Sequence, residues 1–213
     1  MTVKGFFKSN AFKCIVTLLC VLLVSGILLT IAYGFMEVSQ GERLQRAVKK
    51  VYTTSSPIVY GWDEENSDYK KIEADEKDPH GLISGSVKSG NAVILSAYRI
   101  EFENSDDVHI LVQSRGKGGY SGGSVTCWIA INVDWDNEYI LNIAKVQIGE
   151  NSGQSFIGKI TEKMLKDFTK TLLDNYSPDD GYVSSGATFS SNAICNSVNG
   201  AIKWVEDYFA EVA

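Results

Sequence analysis

The sequence comprises 213 residues, of which 44% are hydrophobic, and it carries a formal net charge of −6. About 175 residues remain once an apolar N-terminal run is set aside, which is enough for one globular domain with its own core. A protein that binds nucleic acid needs a basic face to displace counterions from the phosphates. The acidic balance therefore argues against a nucleic-acid partner.

The first element is an uncharged run of 23 residues, 14–36. At about 1.5 Å per residue, a helix of this length crosses a hydrocarbon layer of about 30 Å. A signal peptide is the competing interpretation, but its apolar region is usually shorter and ends in a small-x-small cleavage site, which this run lacks. The run is therefore predicted to be a transmembrane helix that stays in the membrane.

Charges around this helix predict its orientation. Lys4, Lys8 and Lys13 precede it without any acidic residue, whereas the segment after it mixes both signs. The positive-inside rule then predicts a cytoplasmic N-terminus at residues 1–13 and an extracytoplasmic location for everything after Met36. Residues 37–52 have apolar side chains at helical spacing and are predicted to form a stalk helix, followed by an extracytoplasmic domain over residues 53–213.

The stretch of residues 62–81 is dense in charge and closed by Asp78-Pro79. Its carboxylates could be proposed as a cation site, but they lack the loop spacing of a calcium motif. A solvated surface segment is the favoured interpretation.

Alternating and β-rich runs come next, at residues 93–103, 108–113, 125–133 and 139–148. Short polar or glycine-rich turns join these four predicted strands, including residues 104–107 and 134–137, as in an antiparallel meander. Two amphipathic helices are predicted to close the chain. The first covers residues 156–174, with Ile160, Met164, Phe168 and Leu172 on one face, and the second covers residues 191–209. A sheet followed by helices predicts an α+β fold.

The cysteines and histidines show no pattern typical of a metal site or a hydrolase. The four cysteines are Cys14, Cys20, Cys127 and Cys195. They form no C-x-x-C pair and none lies near a histidine at metal-ligand spacing, which argues against zinc and iron–sulfur sites. Cys127 and Cys195 are predicted to be buried free thiols, although the fold could bring them together. The two histidines, His80 and His109, lie far from any nucleophile motif, which disfavours a hydrolase.

Two glycine clusters break the regular pattern. Residues 116–123, GKGGYSGG, stand directly before a strand, and their spacing fits neither the dinucleotide nor the P-loop fingerprint. Residues 149–155, GENSGQS, link the last strand to a helix, where unpaired backbone amides can bind an anion or a ring edge. Taken alone, the first cluster is more often a flexible turn than a cofactor loop, and capping by Ser152 or Ser155 is nearly as good an explanation of the second.

A third cluster, residues 184–191 with the sequence SSGATFSS, opens the final helix. Gly186 and Ala187 leave almost no side chain beside the Thr188 hydroxyl, so a bulky group could be held there without a clash. A phosphate ester at Thr188 would also lie near the positive end of the helix dipole. The alternative is simple capping of the helix by Ser190 or Ser191.

In order and spacing, the three clusters together resemble the covalent FMN-binding domain of the RnfG and NqrC subunits of ion-translocating electron-transport complexes. Residues 185–188, SGAT, match the S/T-G-A-T motif of that family, whose final threonine carries FMN through a phosphoester bond. Residues 119–122, GYSG, match its G-Y-x-G stretch, and residues 150–155 match part of its E-T-P-G-L-G loop. The N-terminal membrane span also agrees with the family, and the chain is closer to RnfG.

The resemblance implies a flavin site, with FMN covalently attached to Thr188 and no metal or catalytic residue. The implied residues are Ser185, Gly186, Ala187, Thr188, Glu150, Ser152, Gly153, Gln154, Tyr120 and Gly122. Two positions depart from the family pattern: Tyr182 stands where the family has an acidic residue, and Gln154 replaces a leucine of the E-T-P-G-L-G loop. Gln154 is expected to make the flavin pocket more polar and to alter its potential.

The resemblance also implies a function. The chain is expected to be an electron-transfer subunit of an Rnf-type complex in the cell membrane, with the other membrane subunits and a flavin transferase as partners. It would belong to an ion-translocating oxidoreductase rather than act as an enzyme alone. Two alternatives are a stand-alone membrane FMN protein for extracytoplasmic electron transfer, and a flavin-free binding or assembly module of the same fold.

Overall fold

The computed structural model describes residues 10–36, 39–53, 56–134, 140–151, 153–170, 172 and 174–212. The chain forms two compact units, residues 1–38 and residues 39–213. The first unit contains helix α1, Asn10–Met36. The exposed stretch Lys13–Thr30 is long and apolar enough to cross a membrane, a property that an N-terminal signal sequence would share.

The second unit is an antiparallel sheet with helices, so the predicted α+β class is confirmed. Its described residues contain seven strands: β1 Pro57–Asp63, β2 Asp68–Lys71, β3 Val87–Ser89, β4 Ala92–Phe102, β5 Ser105–Lys117, β6 Ser124–Asp134 and β7 Ile140–Asn151. The sheet order is β2-β1-β4-β5-β6-β7, and β3 pairs with the beginning of β4. The four predicted strands correspond to β4–β7 and form the consecutive meander that the sequence predicts.

The sequence did not predict the hairpin of β1 and β2, which lies within and just before the charged segment. Strand β2 pairs with β1 alone among the described strands, and its side chains are mostly exposed. A solvated edge strand needs no alternation of apolar residues, so the pattern gives no signal. The Asp63 carboxylate closes the turn by accepting hydrogen bonds from Glu65 N–H at 3.0 Å and Asn66 Nδ2 at 2.9 Å.

The turn predicted over residues 104–107 is shorter than expected. Phe102 and Ser105 are already paired across β4 and β5, so only residues 103 and 104 lie between the strands. The other predicted turn, 134–137, has its last three residues outside the described part of the chain.

Helix α2, Gln40–Val51, covers one face of the sheet. Leu44, Val48 and Val51 are buried there against strand residues such as Leu111. The Ser39 hydroxyl caps the helix by accepting a hydrogen bond from Glu42 N–H at 3.1 Å. The segment predicted as a stalk thus contributes to a core of the second unit.

The other face carries the larger core and the two remaining helices. Helix α4, Thr188–Val212, is longer than the predicted helix over residues 191–209 and buries Ile194, Val198 and Val205. It packs on β4, β5 and β6, and Ser197 Oγ donates a hydrogen bond to Ser114 O at 2.8 Å. A Cβ on Gly116 would lie 1.9 Å from a backbone oxygen of α4, so only glycine allows this close approach.

The helix predicted over residues 156–174 is wrong in its extent. Helix α3 covers only Glu162–Asp167, after a 3-10 turn at Ile157–Lys159. Ile160 has an extended backbone, and the Thr161 hydroxyl caps α3 by accepting a hydrogen bond from Met164 N–H at 3.2 Å. Met164 and Phe168 are buried as predicted, whereas Leu172 is 37% exposed.

Candidate functional site

The loop before α4 holds Thr188 at the surface. Ser184 N–H donates to Ser191 Oγ at 3.0 Å, and Thr161 N–H donates to Ser184 Oγ at 3.1 Å, which fixes both ends of the loop. Gly186 has φ +73°, a conformation that glycine adopts without strain. Thr188 is the first residue of α4 and is exposed, so its hydroxyl is accessible to a reagent or ligand.

The alternative that Ser190 or Ser191 caps the final helix is wrong, because α4 already begins at Thr188. Both serines are buried inside its first turns. The Ser191 hydroxyl donates to Ala187 O at 3.0 Å, and the Ser190 hydroxyl donates to Gln154 Oε1 at 3.4 Å. Ala187 is buried, whereas Ser185 is exposed.

The first glycine cluster lies beside the same end of α4. Asn196 Nδ2 donates to Lys117 O at 2.8 Å, and Asn192 Nδ2 donates to Gly118 O at 3.3 Å. Gly118 and Gly122 have positive φ angles of +90° and +74°, which glycine tolerates best. These two asparagines fix the start of the glycine cluster against the helix that carries Thr188.

Gln154 connects the second cluster to the first. Its side chain is 3% exposed. Its Oε1 accepts a hydrogen bond from Tyr120 N–H at 2.8 Å, and its Nε2 donates to Tyr120 O at 3.4 Å. A Cβ on Gly119 would lie 2.6 Å from the same Oε1, so a glycine is needed there. Gln154 therefore faces the backbone of the glycine cluster and buttresses it; its effect on the polarity of a flavin pocket stays a prediction.

Three aromatic side chains, two within the first and third clusters and one directly after the second, meet at the surface. The Tyr120 ring lies 5.8 Å from the Phe156 ring and 6.2 Å from the Phe189 ring, both in edge-to-face geometry. Their exposed fractions are 47%, 37% and 62%, respectively. Outside α1, the described residues have only six exposed large hydrophobic side chains, and half of them are in this aromatic cluster. Such a concentration of exposed rings is typical of a binding surface.

Lys159 lies between this aromatic cluster and the loop before Thr188. Its Nζ is 5.0 Å from the centre of the Phe156 ring. A Cβ placed on Gly186 would be 3.1 Å from Nζ, so the ammonium group lies directly over the Gly186 backbone. Thr188 follows two residues later. The site thus combines an accessible hydroxyl, three exposed rings and a cation.

The structure brings together most of the residues that the sequence singled out. Tyr120 is in the aromatic cluster, and Gly153 is an exposed residue with φ +69° directly before Gln154. The side chain of Glu150 and the whole of Ser152 lie outside the described part of the chain. Sequence reasoning missed three residues: Phe156, Lys159 and Phe189. The first two were assigned to a buried helix, and the only signal for Phe189 was its place next to Thr188.

Tyr182 is part of a cluster of three rings. It stacks on Phe168 with ring centres 4.8 Å apart, and it meets Tyr176 edge to face at 4.8 Å. Burial raises the pKa of the Tyr182 hydroxyl. The position where the sequence pattern expects an acidic residue is therefore filled by a packed ring, and the carboxylates of Asp179 and Asp180 are exposed upstream.

Thiol chemistry does not belong to this site. Cys127 and Cys195 are free and buried, as the sequence predicts. Burial raises the pKa of each thiol to about 12, so both stay protonated near neutral pH and are poor nucleophiles.

Two of the concave cavities in the second unit contain a histidine. One of about 290 Å³ lies at the β1–β2 hairpin and includes His80. Another of about 430 Å³ contains Tyr52 and His109, whose hydroxyl and Nδ1 are 3.0 Å apart. Burial lowers the pKa of His109. Neither cavity includes Thr188, so the aromatic cluster is a separate surface.

No protein-family model matches the chain, and neither a characterised protein nor a solved structure gives a significant match.

Proposed function

We propose that this chain is a membrane-anchored electron-transfer flavoprotein whose FMN is linked to Thr188 by a phosphoester bond, as the resemblance to RnfG and NqrC implies. The observation that carries this proposal is that exposed Thr188 directly precedes the exposed Phe189 ring, which meets the Tyr120 ring of the GYSG stretch. The third ring, Phe156, directly follows the 150–155 loop and also meets Tyr120. The motif matches are local in the sequence, whereas the meeting of these rings depends on the fold.

The residues present fit a flavin nucleotide. The isoalloxazine ring is planar and largely apolar, and exposed Tyr120, Phe156 and Phe189 supply aromatic surface for it. The phosphate is anionic, and Lys159 and the N-terminal end of α4 supply positive charge. Bound FMN would supply one-electron transfer chemistry, while the chain would hold it and adjust its surroundings.

Attachment would require a separate flavin transferase that uses FAD as the donor. The Thr188 Oγ attacks the phosphorus of the FMN half, a new O–P bond forms, and the pyrophosphate bond of FAD breaks. AMP leaves with the bonding electron pair, and the hydroxyl proton passes to the transferase or to water. Thr188 is therefore an attachment site, and this chain need not supply a catalytic residue.

The location of the domain follows from α1 and the charges before it. On this proposal α1 anchors the chain, and residues 39–213 lie outside the cytoplasm, where a covalent link prevents loss of a scarce cofactor. The partners would be the other membrane subunits of an Rnf-type complex. Residues 14–36 contain no acidic or basic side chain, so the span itself is not expected to form the ion path.

A denaturing gel tests this proposal. The full chain, co-expressed with a flavin transferase, is expected to give a band with flavin fluorescence under ultraviolet light. Thr188→Val is expected to give a dark band, because valine keeps the shape of threonine and lacks the hydroxyl. Ser185→Ala removes a neighbouring exposed hydroxyl and serves as the matched control, which should stay fluorescent. A dark wild-type band, or a fluorescent Thr188→Val band, would contradict attachment at Thr188.

Purification in mild detergent separates the two forms of the proposal. A subunit of an Rnf-type complex is expected to bring other membrane subunits with it. A fluorescent chain that purifies alone would instead be the stand-alone carrier.

A further inference from the structure

The position of Lys159 allows its role toward the flavin phosphate to be made specific. It ends the 3-10 turn between β7 and α3, and its Nζ reaches back over the loop before α4. Among the ion pairs of the described residues, none includes Lys159. A lysine that extends over a backbone, with no carboxylate partner among the described side chains, is available to an external anion.

Gly186 makes this approach possible. A Cβ at that position would lie 3.1 Å from Lys159 Nζ, so the ammonium group would have to move by a few tenths of an ångström. The positive φ of Gly186 also turns the chain so that α4 begins two residues later. Cα atoms two residues apart are separated by at most about 7.6 Å, so the ammonium group lies within reach of a phosphate attached to Thr188.

The contact with Phe156 adds a second constraint. The ammonium group lies 5.0 Å from the centre of that ring, which is within cation–π range. Phe156 is itself held against Tyr120, whose backbone Gln154 fixes. The cation therefore has a defined place at the border between the aromatic cluster and the Thr188 loop.

We infer that Lys159 is the phosphate-binding residue of the site: its ammonium group binds the flavin phosphate and positions it beside the Thr188 hydroxyl. This inference rests on the proposed FMN function. It makes Lys159 a positioning residue, and it predicts that the site distinguishes a phosphorylated flavin from an unphosphorylated one before any covalent bond forms.

The magnitude follows from the exposure of Lys159. A charge-assisted hydrogen bond is stronger than a neutral one, but at an exposed site water and salt screen it. We therefore expect Lys159 to strengthen FMN binding by roughly two- to fivefold over riboflavin at low salt. The advantage should shrink as the ionic strength increases.

The test uses the full chain in detergent, purified without a transferase and carrying Thr188→Val so that no covalent bond can form. FMN and riboflavin are titrated separately up to millimolar concentration, and flavin fluorescence reports binding. We expect FMN to bind more tightly than riboflavin. Adding Lys159→Ala should remove this preference and leave riboflavin binding unchanged, whereas Lys159→Arg should retain the preference.

Lys203→Ala is the matched control. Lys203 is exposed on the same helix as Thr188, and 15 residues of helix place it about 22 Å away. It removes the same charge and should leave the preference intact. The inference is overturned if the chain with Lys159 shows no preference for FMN, or if Lys159→Ala retains that preference.

This outcome is independent of the gel experiment. A dark wild-type gel band with an FMN preference that depends on Lys159 would reject the covalent function and keep the phosphate site. A fluorescent band without such a preference would reject the phosphate site alone.

Discussion

Replacement of Gln154 by leucine should loosen the glycine cluster without changing the volume of the side chain much. Gln154 is 3% exposed, and its Oε1 accepts from Tyr120 N–H at 2.8 Å. Leucine fills similar space but accepts no hydrogen bond, so the Tyr120 amide loses its side-chain partner. An amide that loses its hydrogen-bond acceptor in a buried environment costs about 1–3 kcal/mol. The weaker contact with Ser190 Oγ at 3.4 Å adds little to this.

The assay is urea unfolding of the full chain in detergent, followed by tryptophan fluorescence. All four tryptophans lie after residue 39, so the signal reports on the second unit. We expect Gln154→Leu to lower the free energy of unfolding by about 1–3 kcal/mol and to accelerate hydrogen exchange of the Tyr120 amide. Gln147→Ala is the control, because Gln147 is half-buried with one long hydrogen bond of 3.4 Å. Unchanged exchange at Tyr120 in Gln154→Leu would refute the role of Gln154 as a buttress.

Two further predictions concern parts of the second unit away from the site. Leu44→Ala should lower the free energy of unfolding by about 2–4 kcal/mol, because Leu44 is 4% exposed in the core under α2. The control Lys49→Ala, at an exposed position of the same helix, should change the free energy of unfolding by less than about 0.5 kcal/mol. Equal effects of the two substitutions would contradict this packing. Burial lowers the pKa of His109, so the unfolded chain binds the proton more readily and stability should fall as the pH drops below about 6.5. In urea unfolding at pH 7 and pH 5, His109→Gln should reduce this loss, and an unchanged loss in His109→Gln would contradict the assignment.

The central strands could be predicted from the sequence because their side chains are buried on both faces or alternate between them. Ile110 and Val112 belong to the core under α4, whereas Leu111 between them belongs to the core under α2. This packing demands long β-rich runs, which are visible in a single sequence. Strand β2 is mostly exposed, so it needs no apolar pattern. Its charged residues therefore give no strand signal in the sequence.

The residues of the site also differ in how far they can be predicted from the sequence. Gly186 and Thr188 belong to one four-residue motif, so neighbouring residues alone are enough to identify them. The role of Gln154 depends on Tyr120, which is 34 residues away in the chain. Lys159 and Gly186 are likewise neighbours only because two loops meet in the fold. Local pattern cannot reveal such partners, so the hydrogen bonds between Gln154 and Tyr120 could not be predicted from the sequence.

The distribution of polar and aromatic groups in the site favours a ligand over a purely structural role. Three of the hydrogen-bonding side chains that fix the loops are buried, namely Gln154, Ser184 and Ser191. The rings that those loops carry are exposed, and Phe189 is 62% exposed directly after Thr188. Because Phe189 is exposed, its ring contributes little to the stability of the fold. The loops that hold the rings nevertheless contain strained or glycine-dependent backbone. A rigid frame that holds rings in solvent is preorganised to bind a planar group, because the ordering cost has been met before the ligand arrives.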